Sequence, residues 1–148
     1  MTTSNDRDEV LAAVKEQGWM LEYASDTLKA DREVVLEAVK SYGVALEFAS
    51  EELQNDREVV LAAVKNEGRA LQYVDMRLWG DREVVLEAVK NDEGVEEEEA
   101  LYYADESLQA DREVVLEAVK KNRWVLEYAS EELQNDPELK KLAEDRSI

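Results

Sequence analysis

Apolar residues fall at Val35, Val39 and Tyr42, with Leu36 and Ala38 beside them, in a stretch that opens Asp31-Arg32-Glu33. That i, i+4, i+7 spacing lays one apolar stripe along a helix and does not fit the alternation of a half-buried strand. Asp31 suits the N-cap, where its carboxylate accepts from unpaired N–H groups and meets the positive end of the helix dipole, and Glu33 adds a second charge there. With Lys40 in the last turn, the pattern predicts a helix of about eleven residues, stopped by Gly43 as a left-handed C′ residue. Beyond the glycine, Leu46, Ala49 and Leu53 resume helical spacing, and Ser50 ahead of two glutamates reads as a second cap. The expectation is a short helix to about Ala49 and a further capped turn through Leu53 and Gln54.

The ten residues Asp31 to Lys40 recur letter for letter at Asp81 to Lys90 and Asp111 to Lys120, with Ala62 for Glu37 at Asp56 to Lys65, and more loosely at Asp6 to Lys15. Aligned on the opening Asp, the units are 6–30, 31–55, 56–80, 81–110 and 111–135, a 25-residue period lengthened once by five residues. Units this short cannot cover their own apolar stripe. They predict an all-α solenoid, right- or left-handed, of five two-helix repeats that each rest on their neighbours. Asp136-Pro137-Glu138 then opens a C-terminal capping helix within 136–148, with proline at N1. The chain, 1–148, reads as a single repeat domain. Two units depart from the template. Arg123 stands where others carry Gly18, Gly43 and Gly68, which predicts either about 1 kcal/mol of left-handed strain or a first helix that runs on. The lengthened connection, Asn91 to Glu99, is expected to form an acidic loop on one edge of the stack.

The motif Asp-Arg-Glu-Val-Val-Leu-x-Ala-Val-Lys, then Gly, then Ala-Leu-x-Tyr-Ala-Ser-Glu-Glu-Leu-x-Asn-Asp resembles the tandem-repeat family known as domain of unknown function 4116 (DUF4116), over essentially Asp6 to Asp136. The resemblance implies tandem helical repeats and supplies no catalytic residue to carry over.

The chain has no cysteine and no histidine, which excludes disulfides, thiolate chemistry and imidazole catalysis or metal ligation. Its serines have no histidine to activate them, no Gly-rich phosphate loop is present, and the glutamates recur on the predicted solvent face. No enzyme activity, catalytic residue or cofactor is expected. Asn91 to Glu99 lacks the residue order of an EF-hand loop, so no metal is expected either. With 37 acidic against 18 basic residues the net charge is −19, the wrong sign for direct nucleic-acid binding. No apolar stretch reaches the length of a membrane span and the short polar start shows no signal peptide, so a soluble cytoplasmic protein without a membrane partner is expected.

Aromatics at Tyr23, Phe48, Tyr73, Tyr103 and Tyr128 share one place in the repeat and read as core. The positions that break the repeat are the better candidates, because the internal copies show what the fold alone accepts. Trp79 replaces Lys29, Gln54, Gln109 and Gln134 at a position expected to be exposed, and Met76 and Arg77 interrupt the neighbouring pattern. Tyr102 replaces Glu or Gln, while Trp19 and Trp124 share a slot filled elsewhere by Val44 and Arg69. Large aromatics of this kind are enriched at binding hot spots. The candidate partner-binding residues are therefore Met76, Arg77, Trp79, Tyr102, Trp19 and Trp124. The reading is a non-catalytic protein–protein interaction module acting through the irregular edge of repeats three and four, its acidity steering a protein partner with a basic surface. Two other readings stand beside it: an acidic nucleic-acid mimic that inhibits a nucleic-acid-binding protein, and an idealised or engineered scaffold without activity.

Overall fold

The computed structural model describes residues 4–93 and 99–144. The expectation of a loop across the middle of the insertion, 94–98, lies outside the described residues. The five repeats open with the α-helices Arg7–Glu16, Arg32–Ser41, Arg57–Asn66, Arg82–Lys90 and Arg112–Lys121. In every one the preceding Asp is the N-cap, and its carboxylate accepts from the backbone N–H three residues on. The repeated Val and Ala positions are buried in the helices of repeats two to five, as are Val10 and Val14 in the first, and they form one continuous core with Leu21, Leu46, Leu71 and Leu101 from the short elements. The molecule is an all-α solenoid.

The second element of the repeat winds more tightly than an α-helix. Gly18–Tyr23, Gly43–Phe48, Gly68–Tyr73 and Arg123–Tyr128 are 3-10 helices, and only repeat four has an α-turn there, Ala100–Tyr103. The spacing explains the choice. Gly43, Leu46 and Ala49 are all buried and lie three residues apart, which a three-residue turn stacks on one side. Ser25, Ser50 and Ser130 then cap the next turn by accepting from the N–H three residues on, as the sequence predicts.

Gly43 does not stop the helix as a left-handed residue. No positive φ occurs at Gly18, Gly43 or Gly68. The helix ends earlier, at Tyr42, whose backbone is extended with φ −149° and ψ 98°. The glycine serves contact between repeats: a methyl group on Gly43 would overlap the carbonyl oxygen of Ala63 and stand 3.1 Å from Cβ of Glu67. Its N–H donates to Asn66 Oδ1 at 2.7 Å, and that of Gly18 donates to Ser41 Oγ at 3.1 Å. Arg123 likewise escapes the strain expected of it. Asn122 is extended and its side chain accepts from the N–H of Trp124, so Arg123 begins a 3-10 helix with helical backbone, and it lines an open groove beside Ala143 and Glu144 of the closing helix, Pro137–Glu144.

Neighbouring repeats are tied by two further series. The N–H groups of Ser50, Asp75, Asp105 and Ser130 donate to the carbonyls of Lys29, Gln54, Trp79 and Gln109 in the repeat before, at 2.9 to 3.0 Å. Ser4 extends that series at the first repeat, accepting from Ser25 at 2.7 Å. In the second series, Arg7, Arg32, Arg57 and Arg82 each place Nε 2.8 Å from the N-cap Asp of the following repeat, and Arg112 reaches Asp136 at 3.1 Å. The same guanidinium also grips the Glu two residues beyond that cap.

Both ends of the array turn polar faces outward. Ala38 packs against the repeat before it, and Val34, one turn earlier, lies on the same face. Glu9 occupies the place of Val34 in the first repeat and is exposed. In the closing helix Leu139 holds that place, fully buried, whereas Lys140 and Glu144 replace Val35 and Val39 and are exposed. Terminal repeats of a solenoid need such outer faces.

Candidate partner-binding edge

The arginine series occupies one edge of the stack and leaves its carboxylates committed. Hydrogen bonds from the preceding arginine hold Asp31, Asp56, Asp81 and Asp111 below the usual carboxylate range. The short second elements of the repeats, the 3-10 helices and capped turns, carry the irregular residues.

Exposure sorts the candidates. Met76 is 67 % exposed, Tyr102 47 %, Trp19 43 % and Trp124 71 %. Trp79 does not match the expectation of an exposed ring. It is half-buried on the core, and its indole N–H donates to the carbonyl of Leu71 at 3.1 Å. Gln54 and Gln109 send a side-chain N–H to the corresponding carbonyls of Leu46 and Leu101, so Trp79 repeats the bond its counterparts make. Arg77 is exposed but engaged: its guanidinium grips Asp75 at 2.9 and 3.0 Å, and this bond draws the Asp75 carboxyl down to about 2.

Rings connect three repeats at this edge. Trp79 meets Tyr103 at 5.8 Å between centroids, Tyr103 meets Tyr102 at 5.1 Å, and Tyr102 meets Tyr128 at 5.3 Å, the last two edge to face. Burial, reinforced by the Glu127 carboxylate, pushes the Tyr128 hydroxyl up. The structure thus places Met76, Trp79 and Tyr102 along repeats three and four, with Tyr128 of repeat five against Tyr102. Trp19 lies in the first repeat, edge-on to Tyr23 at 6.4 Å, and Trp124 lies beside the closing helix with the Arg123 guanidinium 5.2 Å from its ring. Those two are not part of the same patch.

A buried acidic pair stands at the foot of the insertion. Asp92 Oδ2 accepts from the N–H of Ala100 at 2.8 Å, and Glu99 accepts from the side-chain amide of Asn122. Burial pushes the Glu99 carboxyl up from its ordinary value.

The exposed surface of the short elements carries a row Glu22, Glu47, Gln72, Tyr102, Glu127 and a second row Asp26, Glu51, Met76, Glu106, Glu131. Both rows are acidic at the outer repeats. Between them, half-buried Gln72 and exposed Met76 in repeat three and exposed Tyr102 in repeat four replace three of the four acidic places, while Glu106 keeps the fourth, leaving a small window without carboxylates.

A family model described as a domain of unknown function, DUF4116, matches residues 6–54, 56–109 and 81–134. The chain belongs to this family. Each DUF4116 match spans two of the 25-residue units, and the second and third share repeat four, as tandem repeats require. No curated protein and no solved structure matches the chain. Among the described residues no helix is long and apolar enough to cross a membrane. Within the DUF4116 frame, sequence reasoning singles out Met76 and Tyr102, which are exposed, and does not single out Gln72 or the flanking glutamates. Comparing copies position by position, rather than searching for large aromatics, is the signal that finds them.

Proposed function

We propose that this chain is a non-catalytic protein-binding module that engages its partner through the edge formed by repeats three and four. The observation that carries the reading is the window itself. Where repeat two places Glu47 and Glu51, repeat three places Gln72 and Met76 and repeat four places Tyr102 beside a retained Glu106, and Met76 and Tyr102 are exposed. Nothing in the stacking asks for these changes, since the neighbouring repeats stack with glutamate. Exposed apolar residues at the centre of a polar surround have the composition of a hot spot within a polar rim.

The distribution of charge supports the same reading over phosphate mimicry. Repeat three, 56–80, holds four acidic and four basic residues, while the stretch between Lys90 and Arg112 holds nine acidic residues and no basic one. The N-cap carboxylates of repeats two to five and of the closing helix are already paired with arginine along the whole stack. A mimic of nucleic acid needs evenly spaced, uncommitted charge.

The test is a comparison of wild type with Met76→Glu/Tyr102→Glu as bait for binding partners. Both substitutions install the residue that other repeats carry at that place, so the stack is preserved. A partner retained by wild type and lost from the double variant supports the reading. Equal retention by both baits would move the site elsewhere on the molecule.

A further inference from the structure

Resting on that reading, we infer the chemical class and the direction of the partner: a peptide segment with an apolar centre and cationic residues on both sides, lying along the stack. The window is bounded in both directions. Glu47 and Glu51 of repeat two stand on one side, Glu106 of repeat four with Glu127 and Glu131 of repeat five on the other, and all five are exposed. Within the window the one basic side chain, Arg77, is neutralised by its bond to Asp75 and offers little repulsion to a cationic ligand. Tyr102 stands edge-on to Tyr103 and Tyr128, so the partner meets a ring held in place by its neighbours. Apolar contact at Met76 and Tyr102 supplies the anchor, and the flanking carboxylates supply orientation and on-rate.

Repeat spacing fixes the length of that segment. Packed helices lie about 10 Å apart, so the acidic groups of repeats two and five stand roughly 30 Å apart along the stack. An extended chain covers that distance in about nine residues. The partner segment therefore carries its basic residues near the two ends of such a stretch and its apolar residues in the middle. A uniformly basic segment would leave Met76 and Tyr102 uncovered, and a uniformly apolar one would strand the carboxylates against a low-dielectric surface.

Fluorescence anisotropy with three labelled peptides of about nine residues tests this. The first has a leucine centre and arginine ends, the second a leucine centre and glutamate ends, and the third a serine centre and arginine ends. The expected result is saturable binding of the first peptide and at least about tenfold weaker binding of the other two. Met76→Glu/Tyr102→Glu is expected to weaken the first peptide by about tenfold although it adds two negative charges. Tighter binding by the double variant would show attraction by charge alone and overturn the inference. Binding of the glutamate-ended peptide as tight as the first, abolished by the same double variant, would keep the window as a docking site and reject the cationic partner. No binding of any of the three would also reject the cationic segment, leaving the bait comparison to judge the window separately.

Discussion

The indole N–H of Trp79 donates to the carbonyl of Leu71 in the place where the side-chain amide of Gln54 donates to the carbonyl of Leu46. A residue that breaks the repeat in sequence thus preserves one of its bonds and adds a ring contact with Tyr103. Trp79→Gln keeps a donor at that place and loses the ring, for an expected cost of about 1 kcal/mol, whereas Trp79→Ala loses both, at about 2 kcal/mol. Urea unfolding of the two variants measures the difference. Equal losses would mean that the bond to Leu71 contributes nothing.

Gly43→Ala is expected to destabilise the stack by about 3 kcal/mol, because the added methyl meets a backbone carbonyl of the next repeat, which cannot rotate away. Gly80→Ala provides the contrast. There the methyl meets only the side chain of Asp105, and Ala30 and Ala110 hold the same place in other repeats. The second substitution should be neutral or stabilise by about 0.5 kcal/mol through the unfolded chain. If both variants behave alike in denaturant, the glycines are not set by close approach between repeats.

These cases show what the sequence makes legible. Period, caps and core follow from local rules: Asp31 and Ser50 cap what they are expected to cap, and Val35 and Val39 are buried as their spacing requires. Relationships between repeats are harder, since the residue across the gap lies 20 or more positions away and no local pattern points to it. Gly43 reads as a helix stop because that is the commonest local use of a glycine after a helix. Its actual partner, Ala63, appears only once the repeats stack. Trp79 is misjudged for the same reason, as the groove that accepts its ring is built partly by Tyr103 of the next repeat. The recurring arginine at position two was visible five times, yet its role depends on the cap of the following unit.

Two groups of carboxylates drive stability in opposite directions with pH. Asp31, Asp56, Asp81 and Asp111 titrate below their unfolded value of about 3.9, so their contribution is complete above that value and is lost as pH falls through the folded pKa. Glu99 titrates above its unfolded value, so its favourable contribution is complete below about 4.3 and is lost as pH rises through the folded pKa. Glu99→Gln should therefore raise Tm near pH 7 and give no gain near pH 3. Arg57→Gln should lower Tm near pH 7, with the gap to wild type closing in acid as Asp81 protonates. Thermal unfolding across that range reads both, and a Glu99→Gln variant less stable than wild type near pH 7 would show that the buried charge is stabilised by its surroundings.

The polar outer faces carry the last prediction. Glu9 stands in the place of Val34, and Lys140 in that of Val35, so each keeps an otherwise apolar helix face in water at one end of the array. Glu9→Val restores at the first repeat the side chain that inner repeats bury against a neighbour, and Lys140→Val does the same at the closing helix. Removing these charges leaves the internal contacts untouched but gives both ends a surface made for stacking. The double variant should fold with wild-type helicity and associate end to end, seen as a weight-average mass that rises with concentration in sedimentation equilibrium and falls again when either charge is restored. A double variant that stays monomeric over the same concentrations would show that the remaining outward residues of the terminal units suffice to block stacking, and that Glu9 and Lys140 are not the residues that close the array.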